Sequence, residues 1–192
     1  MTYQNSLVDI RNFAQFLGKY MRYMLNIQSE TVHLSEELNH IVNYLKMQQI
    51  RIPGSVDYTI KCAEHTGRIL IPFLALFTLV ENAFKHALDL YKPMLLKITC
   101  QSLRREDFHG YQLAVEDNGD GFPEKVLKTF NDAMPEGELP AKEHLGLTNI
   151  RYTLSYSYQR QDLLRLSNTG SGAKAEIWIP DSKLPGEEDE RT

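Results

Sequence analysis

The chain has 192 residues, enough for one compact domain with some extra helix but short of two full domains. Its net charge of −4 and the lack of any long single-sign block argue against a nucleic-acid partner or a polyelectrolyte arm. The hydrophobic share of 42% is that of a soluble globular protein, and no apolar run reaches the roughly 18 residues a membrane span needs, so no membrane contact is expected of this segment.

Residues 6–28 carry Leu7, Ile10, Phe13, Leu17, Tyr20 and Met24 at three- and four-residue steps, the spacing of one helix face. The sequence opens within that helical pattern, which points to a piece of a longer protein. A second helix is expected after Ser35 as N-cap, with Glu36 and Glu37 at its positive end and Leu38, Ile41, Val42 and Leu45 as its apolar stripe. Arg51-Ile-Pro-Gly54 ends it. Residues 56–62 alternate like a strand. From Pro72 to Leu90 the pattern is helical and strongly apolar, with Pro72 placed near the start. Residues 94–103 and 111–117 read as strands around a polar turn. Residues 131–145, rich in Pro, Gly and Glu, read as a loop, and 146–158 as helix. Residues 162–168 and 173–179 are strands joined by a turn with Gly170 and Gly172. Strands joined by short links imply antiparallel pairs. Helices on one face of such a sheet give an α+β fold, a two-layer α/β sandwich. Three regions follow: a helical segment 1–52, a domain 53–182 and a charged, disordered tail 183–192. The two cysteines, Cys62 and Cys100, lack metal-type spacing and read as buried thiols.

Four stretches carry chemistry. On the apolar helix, Glu81, Asn82, Lys85 and His86 form a polar cluster, with Glu81 and Lys85, and Asn82 and His86, paired at four-residue spacing. A carboxylate, an amide and two nitrogen side chains suit a Mg²⁺–triphosphate; an ion-paired exposed helix face would look the same. Next, Asp117-Asn-Gly-Asp-Gly121 ends a strand in a turn that uses glycine. Asp117 could accept a hydrogen bond from an adenine amino group, or the segment could be a plain turn. Third, His144-Leu-Gly-Leu-Thr-Asn-Ile-Arg151 puts Gly146 at a helix start, where bare N–H groups attract phosphate. Fourth, Asn168-Thr-Gly-Ser-Gly172 opens an alternating strand. The run Gly170 to Ala175 fits G-x-G-x-x-A but leads into a strand, against a dinucleotide site, and no P-loop motif occurs.

Taken in order, VENAFKH (80–86), EDNGDGF (116–122), HLGLTNIR (144–151) and NTGSGAKAEIWIP (168–180) resemble the ATPase domain of the GHKL superfamily, which includes gyrase, Hsp90-type chaperones, MutL and histidine kinases. The closest resemblance is to LytS/YesM-type sensor histidine kinases. The run from Met21 to Arg51 also resembles the segment these kinases place before their ATP domain. The resemblance implies the Bergerat sandwich, with ATP and Mg²⁺ bound between the N-box helix and a lid at about 122–145. It implies Asn82 as Mg²⁺ ligand, Asp117 as adenine reader, and Lys85 and His86 toward the phosphates. Gly119, Gly121, Gly146 and Leu147 would bring backbone to the nucleotide, Thr169 would lie near the adenine, and Glu81 would polarise the accepting imidazole.

The same resemblance implies transfer of the γ-phosphoryl group to a histidine on a helix outside this fragment, and thence to a response regulator. It implies a homodimer in the full-length protein, here the cytoplasmic domain of a membrane-anchored sensor. The accepting His-Pro-His-Phe-type stretch is absent from the sequence. The chain is therefore expected to bind Mg-ATP without labelling itself. Two other readings stand: an inactive ATP-sensing or interaction module, and a GHKL ATPase. Against the latter, Thr78 occupies the position where hydrolytic relatives place a carboxylate.

Overall fold

The computed structural model describes residues 2–25, 29–88, 92–105, 108–132 and 145–181. Helix α1, Thr2–Leu25, is followed by strand β1, Thr31–His33, and helix α2, Leu34–Arg51. Then come strand β2, Val56–Cys62, a 3₁₀ turn at Glu64–Arg68, strand β3, Leu70–Pro72, and helix α3, Ala75–Ala87. Strands β4, Met94–Arg105, and β5, Phe108–Glu116, precede helix α4, Glu124–Asn131. Helix α5, Leu145–Tyr158, and strands β6, Leu164–Asn168, and β7, Ala173–Pro180, complete the order.

Five strands form one sheet in the order β2-β4-β5-β7-β6. The short-linked pairs are antiparallel, as expected. β2 and β4, separated by α3, run parallel, because a helix-length crossover returns the chain in the same direction. Register aligns apolar rows across the sheet: Ile98 opposite Val115, Val115 opposite Ala175, Ala175 opposite Leu166. These residues are buried in one core with Leu79 and Val80 of α3, Leu147 and Leu154 of α5, and Leu34, Ile41 and Leu45 of α2. The other sheet face carries a ladder of Lys97, Glu116, Lys174 and Glu176. Alternation along each strand thus sorts the two layers, and each fully buried Leu or Val contributes about 1.5–3 kcal/mol. Cys62 and Cys100 are partners in register and remain free thiols.

Four local expectations change. Ser35 lies inside α2; His33 holds the N-cap position without a side-chain cap bond. The strand β1 leads directly into the helix, and the Leu34 N–H donates to the Ile69 carbonyl instead. Pro72 belongs to β3, which pairs with β1. Helix α3 starts only at Ala75, after Leu74 at φ 62°. Residues 124–131, expected within the lid, form α4, with Val126 and Phe130 buried against the core. The rest of the expected lid, residues 133–144 with His144, and the tail 183–192 lie outside the described residues.

The odd start of α3 has a compensating partner. Left-handed backbone at a residue with a Cβ costs about 1–2 kcal/mol. The Glu37 carboxylate, from α2, accepts the N–H groups of Leu74 (2.8 Å), Leu76 (2.7 Å) and Phe77 (2.9 Å). Glu37 therefore does not serve its own helix dipole at the surface; it is fully buried and caps α3.

Candidate functional site: a cleft between α2 and α3

A cleft of about 670 Å³ opens between α2, α3 and the start of α5. Helix α3 supplies Thr78, Glu81, Asn82, Phe84, Lys85 and His86, followed by Leu88. Tyr44, Gln48 and Arg51 line it from α2, and Leu145 and Gly146 from α5. The polar cluster is on this side because α3 turns Leu76, Leu79, Val80, Ala83 and Ala87 into the core. That leaves Glu81 and Lys85 exposed and Asn82 half-buried at the cleft. Glu81, Asn82, Lys85, His86 and Gly146 are thus brought together as the sequence implied. The wall from α2 was not foreseen. Its signal was present as the four- and three-residue steps from Tyr44 to Gln48 to Arg51, which read equally as an ordinary solvated helix face.

Asp117 does not line the cleft but lies beyond the same end of α3. Gly119, two residues on, rests against Ala87: a Cβ there would meet the Ala87 Cβ at 2.6 Å. The Asp117 Oδ1 accepts the N–H groups of Gly119 (2.9 Å) and Ala173 (3.3 Å). Its Oδ2 has no hydrogen-bond partner among the described residues. Burial raises the Asp117 pKa above the usual carboxylate value; the two backbone donors and the nearby His86 oppose that rise. His86, at the cleft, therefore stands within electrostatic reach of Asp117.

The glycines are used by the protein itself. A Cβ on Gly146 would approach the Thr78 Cγ2 to 2.9 Å, so this glycine seats α5 on α3. Gly121 has φ +83°, and a Cβ there would meet the Asn168 side chain at 2.8 Å. Asn168 holds that turn from both sides, accepting the Phe122 N–H and donating to the Phe122 carbonyl. These positions were read as room for nucleotide backbone contacts; the space of the missing Cβ is filled by protein atoms. Gly172, not singled out before, is tighter still: a Cβ would lie 2.1 Å from the Asp117 carbonyl oxygen.

Two other expected site residues use their side chains within the protein. The Leu147 side chain is buried in the core, so only its backbone N–H, in the first turn of α5, is left to serve a ligand. The Thr169 hydroxyl is engaged in its own turn, donating to the Gly172 carbonyl (3.2 Å) and accepting the Gly172 N–H (3.0 Å). Arg151 is buried and faces away from any phosphate role: its guanidinium donates to the carbonyls of Thr129 (2.7 Å) and Asp132, closing the end of α4.

Among the described residues no cluster of three or more His, Cys, Asp or Glu could cage a metal ion. No helix among them is long and apolar enough to cross a membrane.

Comparison with known proteins agrees with this architecture. The family model described as "Histidine kinase" matches residues 1–56. The sensor protein kinase HptS of Staphylococcus aureus strain USA300 is 32% identical over 146 residues, 76% of this chain and 27% of HptS; the strain N315 protein gives the same values. The chain thus spans about a quarter of the length of the curated relatives it matches. Among solved structures, the catalytic domain of histidine kinase ThkA aligns with a TM-score of 0.57 at 15% identity, over 78% of this chain and 93% of that one. The mycobacterial sensor histidine kinase MprB gives 0.53 at 14% identity, over 79% and 96%. The histidine kinase domain of the blue-light activated kinase from Erythrobacter litoralis gives 0.51 at 18%, over 90% and 74%. These likenesses establish the fold, the GHKL-type α+β sandwich of histidine kinase catalytic domains. The sequence matches beside them point the same way: in sequence as in fold, what this chain is similar to is sensor histidine kinases.

Proposed function

We propose that the α2–α3 cleft binds Mg-ATP and that the parent protein transfers the γ-phosphoryl group to a histidine outside this fragment, and thence to a response regulator. The observation that carries this is the convergence on one end of α3. Asn82 and Lys85 face the cleft, while Asp117 keeps a carboxylate oxygen unengaged just beyond it. The donor set fits the metal. Magnesium is held by one or two protein oxygens plus phosphate oxygens and waters, not by an all-protein cage. A single amide oxygen from Asn82, with no acidic cluster beside it among the described residues, matches that demand.

ATP supplies the phosphoryl group, and Mg²⁺ draws charge from its oxygens. The Asp117 Oδ2 accepts the adenine amino hydrogen, its partner Oδ1 being fixed by two backbone donors. Lys85 neutralises phosphate charge from the next turn of α3. Glu81, exposed beside Asn82, accepts the N–H of the incoming imidazole, which leaves the far nitrogen's lone pair for phosphorus. The P–N bond forms as the bond from phosphorus to the ADP oxygen breaks. Thr78, one turn before Asn82, offers no base for hydrolysis to water: its hydroxyl donates to the Leu74 carbonyl at 2.7 Å. The full-length protein is then a homodimeric sensor in which this segment is cytoplasmic and its membrane anchor lies elsewhere in the chain.

Nucleotide titration of the purified chain with and without Mg²⁺ tests the site. Asp117→Ala is expected to abolish ATP binding, and Asn82→Ala to remove mainly the Mg²⁺ dependence. Unchanged affinity in both variants would defeat the assignment. Transfer itself is tested by adding a separately made phospho-accepting helix: label appears on its histidine for a kinase and not for an inert ATP-sensing module.

A further inference from the structure

Tyr44, Gln48 and Arg51 follow one another at four- and three-residue steps, so they share a face of α2, and that face is turned to the cleft. Gln48 is 6% exposed, and its Oε1 has no hydrogen-bond partner among the described residues. A buried carbonyl oxygen without a donor is destabilising, and an apolar side chain of similar shape would remove the penalty. Arg51, in the last turn of α2, is exposed and makes no ion pair with any described carboxylate. Its charge nevertheless reaches the cleft. Burial is the main cause of the raised Tyr44 pKa; a hydrogen bond from the Gln48 side chain opposes it first, Glu81 adds to it from α3, and Arg51 opposes it from α2. Both charges therefore act on one hydroxyl between the two helices.

We infer that this face of α2 is a second wall of the nucleotide site, with the Arg51 guanidinium taking polyphosphate oxygens opposite Lys85 and the Gln48 Oε1 accepting an O–H group carried in with the nucleotide. The inference rests on the reading of the cleft as an ATP site. The chemistry favours phosphate: Arg51 and Lys85 are cationic, Glu81 is the only carboxylate among the described residues of the cleft walls, and a guanidinium fork matches phosphate oxygens two at a time. The plain alternative is that Arg51 only answers the negative end of the α2 dipole. The two differ in a functional consequence. A polyphosphate gripped from α2 as well as α3 ties the helical segment to the sandwich whenever nucleotide is bound.

Calorimetric titration of the whole chain with ATP, ADP and adenosine, in Mg²⁺, decides this. Arg51→Ala is expected to weaken ATP binding about 10- to 100-fold, the worth of a charge-assisted hydrogen bond, while leaving adenosine affinity and melting temperature unchanged. Arg51→Lys should recover part of the loss. Gln48→Leu should melt at a higher temperature yet bind ATP more weakly, a combination a purely structural glutamine does not give. If Gln48→Leu weakens adenosine as well, its O–H partner is a ribose hydroxyl; if it weakens only ATP, the partner is a metal-bound water. ATP affinity unchanged in Arg51→Ala, or equal losses for ATP and adenosine, overturns the inference while the ATP site itself stands. A wild-type chain that takes up no ATP, or one whose binding survives Asp117→Ala, removes the underlying reading and this wall with it.

Discussion

Glu37 and Phe77, forty residues apart in sequence, meet at 2.9 Å, carboxylate oxygen to backbone N–H. This bond, with those to Leu74 and Leu76, makes one buried side chain of α2 the cap of the helix that carries Asn82. The start of α3 is thereby fixed by a residue from another element rather than by its own preceding sequence.

Glu37→Ala leaves three N–H groups, two of them buried, without an acceptor and is expected to cost about 3–5 kcal/mol, read as a lowered urea midpoint. The pH dependence carries a second signature. Burial pushes the Glu37 pKa up to about 7 from an ordinary 4.5, against the pull of its three backbone donors. A carboxyl with a raised folded pKa binds its proton in the folded state while the unfolded chain has released it. Its contribution therefore falls as pH rises from about 4.5 to about 7 and is flat above. Urea melts of the wild type and Glu37→Gln at pH 5 and pH 8 check this: the wild type should lose more stability over that range than the variant. Equal losses would place the proton elsewhere.

His40 gives the opposite slope. It is 2% exposed, its ring centroid lies 4.9 Å from that of Tyr20 and 4.2 Å from that of Tyr23, and neither ring nitrogen has a partner among the described residues. Burial lowers its pKa to about 4 from 6.5. The unfolded chain takes up the proton first as pH falls, so stability is lost as pH drops from about 6.5 toward 4. His40→Phe keeps the aromatic stack, removes two unpartnered nitrogens and should stabilise by about 1–3 kcal/mol near neutral pH, with the acid loss abolished. Thermal melts at pH 5 and pH 7 measure both effects. A destabilised variant would show instead that a ring nitrogen of His40 is hydrogen-bonded in the folded protein.

Gly172→Ala places a Cβ 2.1 Å from the Asp117 carbonyl oxygen, so the hairpin turn and the Asp117 loop must part. Overpacking of this kind costs about 1–3 kcal/mol. Gly110→Ala meets an equally close carbonyl, that of Ile179, at the far end of β5. Both should lower the melting temperature, but only Gly172→Ala should weaken ATP binding beyond what the fraction folded explains. Parallel losses in the two would disconnect this turn from the site.

Arg151 closes the end of α4, so Arg151→Met should strip the Thr129 and Asp132 carbonyls of their donor and cost about 2–4 kcal/mol. Its direct effect on nucleotide affinity should be nil, because the guanidinium faces Thr129 and Asp132 and not the cleft. Hydrogen exchange localised to residues 124–131 would report the released helix.

Much of this architecture is legible in the sequence because period and alternation are local. The 56–62 alternation gave β2 its bounds, the 146–158 pattern gave α5 to within one residue, and the four ordered motifs pointed to the family. What a face meets is not local, and only the tertiary structure decided it. Glu36 and Glu37 are adjacent and chemically alike, yet α2 exposes one and turns the other under the start of α3. Pro72 had every mark of a helix start, but three residues of β1 claim its segment as a strand. Gly119 and Gly146 looked like room for a ligand, and helix α3 takes that room. The polar side of α3 announced Asn82 and Lys85, whereas Gln48 and Arg51 join them only through the packing of α2 across the cleft. A residue's chemistry is set by its own atoms and its burial by its neighbours, and those neighbours are often separated by many residues along the chain.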